Sequence, residues 1–259
     1  MRRGAVVAVI ALLSAACSSS SSTTTSPAAA PTPLTVFAAS SLTKAFTQIG
    51  QDFHTANPEV TVTFDFGSST DLAAQIQSEG MADVFASASG TAMDTLQSGP
   101  DVTNRTDFAT NQLVIITPPD NPAGIASMND LAGSGVKLVL AAEGVPVGDY
   151  ARQALKNAGI LSQATANVVS NEDDDASVVA KVTSGDADAA IVYTSDVASA
   201  GDAVRSVTIP SAANVVATYP IAAVSGSAYP DQAMAFLDYV VGSAGQATLK
   251  RFGFGPPSN

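Results

Sequence analysis

The chain has 259 residues, 46% hydrophobic and 13% charged, with no Trp, one Cys and one His. That length can bury a sizeable core in one large or two modest domains, and the composition is that of a folded chain rather than a disordered one. The formal net charge of −12 argues against nucleic acid or an anionic membrane face as a partner. A single His and a single Cys give no support to Ser-His-Asp or Cys-His catalysis, and no G-x-S-x-G elbow is present. The chain therefore reads as a non-enzyme.

The first residues are expected to lie outside the fold. Arg2 and Arg3 precede an apolar run from Ala5 to Leu13, followed by Ser14-Ala15-Ala16. The run is too short to span a bilayer and predicts a secretory signal over residues 1–16. Cys17 follows at once. Leu-Ser-Ala-Ala-Cys is similar to a bacterial lipobox, with its Leu one position further from the Cys than usual, and makes Cys17 the expected lipidation site. Acyl chains there would anchor the protein to the outer face of the cell membrane; the alternative is a soluble signal that happens to contain a Cys. Removing Arg2 and Arg3 leaves nine basic residues against 23 acidic ones, a formal charge of −14.

Residues 17–33 carry the run SSSSSTTTSPAAAPTP, which has no apolar periodicity and predicts a tether. From Leu34 onward strands alternate with helices. LTVFA (34–38) is a short strand. Leu42, Ala45, Phe46, Ile49 and Phe53 recur at helical spacing to Ala56. Val60, Val62, Phe64 and Phe66 alternate with polar residues as a strand. A helix over 72–78, strands over 83–86, 113–117 and 137–142, helices over 150–158 and 176–183, and a strand over 189–193 continue the pattern. The strand 219–224 and helices 232–241 and 245–252 close the chain. Such alternation predicts mostly parallel sheets. The segment Pro118–Pro122 and the stretch 209–218 are the expected crossovers between two lobes, residues 34–115 plus 215–259 and residues 116–214.

Four strand-to-helix turns share one design: Ala39-Ser40-Ser41, Gly67-Ser68-Ser69-Thr70, Val145-Pro146-Val147-Gly148 and Asp173-Asp174-Asp175. Each exposes backbone N–H groups at the positive end of a helix. Ligands of open α/β sheets bind beyond the carboxyl ends of the strands, where such turns lie. Any one of these turns is more simply a helix cap. Converging, they could hold a dianion without Lys or Arg, and salt screens the distant negative charges.

Phe37–Leu42 (FAASSL), Phe66–Ser69 (FGSS), Ala82–Phe85 (ADVF), Val145–Ala151 (VPVGDYA), Ile191–Asp196 (IVYTSD) and Lys250–Phe254 (KRFGF) follow one another in the order found in molybdate-binding proteins of ABC importers, which the chain resembles from Leu34 to Phe254. The resemblance implies a type II periplasmic-binding-protein fold, two α/β lobes joined by a two-segment hinge. It implies capture of molybdate or tungstate and its delivery to a membrane-embedded ABC permease with a cytoplasmic ATPase, by a monomer that needs no cofactor and no resident metal. By motif position Ser41 and Ser69 would each supply a hydroxyl and a backbone N–H, Val147 and Asp175 a backbone N–H, and Tyr193 its phenol. Asp175 stands where the family usually has an apolar residue. Its carboxylate is expected to turn away and cap its own helix; the alternative is a protonated side chain that donates to the ligand. Sulfate or phosphate is the alternative ligand.

Other features carry less. His54 beside Phe53 has no ligand spacing around it. Glu172–Asp175 lacks a calcium-loop pattern and reads as a solvated acidic turn. Arg105, Arg152 and Arg205 lie away from the four turns, which argues against an organic carboxylate.

Overall fold

The structure is a computed structural model that describes Met1 and residues 31–257. The predicted signal 1–16, Cys17 and the tether up to residue 30 lie outside the described residues.

The expected strand–helix alternation is present. β1 (Thr32–Ala39) leads through a 3-10 turn, Ser40–Leu42, into α1 (Thr43–Ala56). β2 (Val60–Gly67) leads into α2 (Ser69–Glu79), and β3 (Val84–Ala86) is followed by α3 (Gly90–Gln97) and the long β4 (Val102–Thr117). β5 (Leu138–Ala141) precedes α4 (Pro146–Asn157) and the short α5 (Leu161–Thr165); β6 (Val168–Glu172) precedes α6 (Asp175–Thr183). β7 (Ala189–Tyr193) runs directly into α7 (Thr194–Ala200), then β8 (Arg205–Thr208), β9 (Val216–Val224), α8 (Pro230–Val241) and α9 (Ser243–Arg251).

The strands follow the path β2-β1-β3-β9-β4-β7-β5-β6, with β8 also paired to β4. Pairing is parallel on the two flanks, β1 with β2 and β3, and β5 with β6 and β7. It is antiparallel wherever β4 or β9 takes part, so the sheet is mixed. β4 is the strand that joins the halves. Its residues to Gln112 pair with β9, and from Leu113 they pair with β7 and β8. The first passage therefore lies inside β4 at Gln112–Leu113, and not at Pro118–Pro122 as the proline-rich composition suggested. A continuous ladder on both sides makes the passage cheaper inside a strand than in a loop that must satisfy its own polar groups. Residues 209–215 link β8 to β9, and residues 216–218 of the expected second crossover belong to β9.

A second boundary moves. Thr32 and Pro33, assigned to the tether, are the first residues of β1: the Thr32 N–H donates to Glu59 O at 2.7 Å, and both residues pair with β2. β3 joins β1 only from Val36, so Pro33 removes no donor from that ladder.

A large buried core runs along the sheet, with a second, smaller one of Phe37, Leu72, Ile76, Phe85, Met93 and Leu96 beside it. Leu34, Val36 and Ala38 of β1, Leu42, Phe46, Ile49 and Phe53 of the first helical segment, and Leu113–Ile116 of β4 belong to the large one. Phe46 packs on Phe108 and Phe236 with ring centroids 5.8 and 6.1 Å apart, edge-on geometries that aromatic quadrupoles favour. With these faces fixed, β1, β2, β5, β6 and β7 deliver the turns that follow them to a common region.

Candidate functional site

Ser41, Ser69, Val147, Asp175 and Tyr193 border one cavity. It is small: the non-atom space among its lining residues is about 200 Å³. That suits a compact ion and leaves no room for a sugar, a peptide or a nucleotide. No Lys or Arg is among the residues that line it. Ser40 and Ser68, each the neighbour of a predicted serine, line it as well, so at both Ser-Ser pairs the turn presents two hydroxyls where the sequence reading chose one.

The local reasons differ from turn to turn. At α2, Ser68 occupies the N-cap position with extended backbone, yet its side chain makes no capping hydrogen bond. An N-cap serine ordinarily bonds the second or third helical N–H; this hydroxyl is buried without any protein partner. Ser69 is 1% exposed, and its Oγ accepts the Ala88 N–H at 2.9 Å. With that acceptor site filled, its own hydrogen is free to donate elsewhere. At α4 the first position is Pro146, which has no N–H to lose. Val147 thus carries the first free N–H of a twelve-residue helix, at the end where the helix dipole favours negative charge.

Ser41 is oriented by a chain of hydrogen bonds invisible in the sequence. Asn111 Oδ1 accepts from the Gln112 N–H and the Thr194 hydroxyl at 3.0 and 2.8 Å. That fixes the Asn111 amide, which donates to Ser195 Oγ at 2.8 Å and Tyr219 Oη at 3.4 Å. Tyr219, already accepting, gives its hydrogen to Ser41 Oγ at 3.0 Å. Ser41 accepts there, and its own hydrogen is the one left to donate. Tyr193, 1% exposed, ends β7 with its Oη buried and unpartnered. Burial, with the neighbouring Tyr219 adding to it, holds its phenol well above the usual value, so it stays a neutral donor.

Asp175 corrects the expectation set from sequence. Asp174, and not Asp175, caps α6: its carboxylate accepts the Ser177 N–H at 2.7 Å. One residue further on, Asp175 points inward and is 3% exposed. Its Oδ1 accepts from the Ser40 hydroxyl and from the Ala176 N–H, while Oδ2 is buried with no partner. The reason is register: only the residue before the helix has the extended backbone that lets a side chain reach back to the third N–H, and that residue is Asp174. Burial, and then the charge of Asp174, push the Asp175 carboxyl up to about 7. The nearby Asp196 carboxyl is likewise held well above the usual carboxylate range, by burial and by the charge of Asp175.

Ser68 Oγ, Asp175 Oδ2 and Tyr193 Oη are buried polar atoms without a partner, and all three belong to residues lining this one cavity. Such atoms cost about 1–3 kcal/mol each when nothing pairs with them. Two neutral donors beside the free hydrogens of Ser41 and Ser69 and the Val147 N–H form a cage for a small anion with several acceptor oxygens. No cluster of three or more His, Cys, Asp or Glu suited to a metal ion occurs among the described residues.

Comparison with known proteins agrees with this geometry. The family model described as bacterial extracellular solute-binding protein matches residues 34–255. The molybdate-binding protein ModA of Mycobacterium tuberculosis H37Rv is 40% identical over 225 residues, 86% of this chain and 85% of the relative. The molybdate-binding protein ModA of Escherichia coli K12 is 33% identical over 230 residues, 85% and 88% of the two chains. The solved periplasmic molybdate-binding protein of Azotobacter vinelandii superposes with a TM-score of 0.79 at 21% identity, covering 87% of this chain and all (100%) of that one. At that identity the last comparison speaks to the fold, a type II periplasmic-binding architecture.

Proposed function

The chain belongs to the bacterial extracellular solute-binding protein family, and from that membership and the cavity we propose that it captures molybdate and hands it to an ABC permease. Tungstate, of the same shape and charge, is bound with it. The protein acts as a receptor and not as an enzyme. Ser41, Ser69, Val147 and Tyr193 donate to the oxyanion, with Ser68 completing the cage and the Ser40 hydroxyl holding Asp175 Oδ1. The observation that carries this reading is the coincidence of unpartnered buried polar atoms on a cavity too small for an organic solute; the relatives at 40% and 33% identity supply the ion.

Selectivity follows from the donors. A cage of fixed neutral donors favours a fully ionised tetrahedral anion, and molybdate and tungstate have longer bonds to oxygen than sulfate, which would leave contacts stretched. One observation favours a second reading. The free Asp175 Oδ2 could accept the hydrogen of monohydrogen phosphate, the one common tetrahedral dianion that brings its own. A thermal-unfolding panel decides. A ligand at a hundred times its Kd stabilises by about 2.7 kcal/mol. Molybdate and tungstate should raise Tm equally, with sulfate and phosphate needing at least about a hundredfold more ion. A shift with phosphate alone would establish the second reading, and equal shifts with sulfate would remove the first.

Export fits the family, and no helix among the described residues is long and apolar enough to cross a membrane. Anchoring by lipid on Cys17 is our reading of the sequence Leu13–Cys17, and it keeps a monomeric receptor close to its permease. Cys17→Ala should move the protein from the membrane fraction to the medium or periplasm. A wild-type protein already soluble after export would dismiss the anchor.

A further inference from the structure

The cage described above holds a carboxyl that no donor-only oxyanion site needs. Asp175 Oδ2 is buried and unpartnered on the cavity wall. As a carboxylate it would face a dianion across a small, poorly solvated space, where like charges repel far more strongly than in water. The side chain cannot swing aside, because the Ser40 hydroxyl and the Ala176 N–H hold Oδ1. A second buried carboxyl, Asp196, lies close enough for the charge of Asp175 to act on it, and its Oδ2 accepts the Tyr193 N–H at 2.8 Å. Asp196 borders the next cleft along, which it shares with Ser40, Lys44 and Ser199.

We propose that the site is proton-coupled: the oxyanion enters with one proton, which Asp175 Oδ2 takes up and donates to the anion. The inference rests on the oxyanion reading above. The balance is simple. A dianion and a proton from solvent enter, no covalent bond in the protein changes, and the cavity gains one negative charge instead of two. A repelling carboxylate becomes a further donor beside Tyr193, Ser41 and Ser69. The cage then accepts an anion that brings no hydrogen and still leaves no unmatched acceptor on Asp175.

The charged and titratable neighbours all bear on that proton. Asp174 precedes Asp175 on α6 and raises its affinity for a proton. Tyr193 from β7 and Tyr219 from β9 remain protonated, and Tyr150 from α4 lies close enough to act on Tyr193. Asp173 is exposed, and Glu172 is engaged by the Ser170 hydroxyl. Lys44 on α1, which lines the neighbouring cleft, spends its ammonium on Ser199 O, and Arg152 on α4 spends its guanidinium on Ala141 O and Gly148 O. The sign follows. Free Asp175 titrates near 7, and a bound dianion raises that further. Below about 7 the proton is already present and affinity is level. Above 7, binding must draw a proton in, so affinity falls as pH rises, by up to tenfold per pH unit.

Calorimetric titration with molybdate at about pH 8, in buffers of differing ionisation enthalpy, counts the protons directly. Wild type should take up close to one, falling toward zero near pH 6. Asp175→Asn keeps the shape and supplies an amide donor. It should still bind molybdate, with no proton uptake and an affinity level from pH 6 to 8. Asp196→Asn, which leaves Asp175 itself in place, should retain the uptake. Molybdate binding without proton uptake in wild type would overturn this inference alone, as would uptake that survives Asp175→Asn but is lost in Asp196→Asn. Binding of phosphate without uptake, and of molybdate not at all, would overturn the molybdate reading and this one together, since monohydrogen phosphate carries its own proton.

Discussion

Changing Ser41 and Ser69 together to Ala should weaken molybdate binding by about 10²- to 10⁴-fold. Each serine is oriented so that its hydrogen faces away from an acceptor site already filled, by the Tyr219 hydroxyl at Ser41 and by the Ala88 N–H at Ser69. A hydrogen bond from a buried hydroxyl to a charged acceptor contributes about 1.5–3 kcal/mol, and every 1.4 kcal/mol is a factor of ten. The two serines come from different turns, after β1 and after β2, so neither loss is made good by the other. Each also anchors its turn: without Ser69 Oγ the buried Ala88 N–H loses its partner. Unfolding in the absence of ion should therefore be measured beside calorimetric titration. A modest drop in Tm with a large drop in affinity is the expected pair. Affinity unchanged within about threefold would place the anion elsewhere.

Gly148→Ala should unfold the protein more readily and blunt binding at once. A β-carbon at Gly148 would fall on the backbone carbonyl oxygens of Ala141 and Ala142, at the end of β5. Those atoms cannot give way easily. Arg152 ties Ala141 O to Gly148 O with hydrogen bonds of 2.7 and 3.0 Å, and Ala142 O accepts the Val145 N–H at 3.2 Å. The start of α4 is therefore clamped to the strand end, and Val147, next to Gly148, lines the cavity. Overpacking of this kind costs about 1–3 kcal/mol. At about 2–4 °C per kcal/mol for a body of this size, Tm should fall by roughly 2–12 °C. Molybdate affinity should fall about tenfold or more as α4 backs away. A variant with native Tm and native affinity would show that the close approach of helix and strand is not what fixes Val147.

Much of the fold was legible because burial writes periodicity into sequence. β7 was placed residue for residue, since all five residues of Ala189–Tyr193 are buried and form an unbroken apolar run. α1, with Ala45, Phe46, Ile49 and Phe53 buried on one face, was equally plain. The first half of β4 was not. VTNRTDFATNQ mixes exposed and buried residues, and β-bulges against β9 interrupt its register, so its alternation is lost and only tertiary pairing makes it a strand. α3 was missed although it carried a local signal, Ser89 as an N-cap accepting from Thr91 and Ala92. For the site, turn chemistry and motif order singled out five residues that the fold places around one cavity. Which Asp in Asp173–Asp175 caps the helix depends on a one-residue register that composition does not carry. The Asn111–Tyr219–Ser41 chain joins residues 108 and 178 positions apart, beyond the reach of any local pattern. Asp196 likewise reads as an ordinary first-turn acid of α7 until the fold sets it against Asp175.

The central claim, an oxyanion held by converging turns without a cation, is tested most directly by crystals grown with molybdate and measured at the molybdenum absorption edge. A single anomalous peak should lie in the cavity, with oxygens in hydrogen-bond reach of Ser41 Oγ, Ser69 Oγ, the Val147 N–H and Tyr193 Oη. A peak beside Lys44 in the neighbouring cleft, or on the surface near Arg105 or Arg205, with the cavity holding only water, would contradict it.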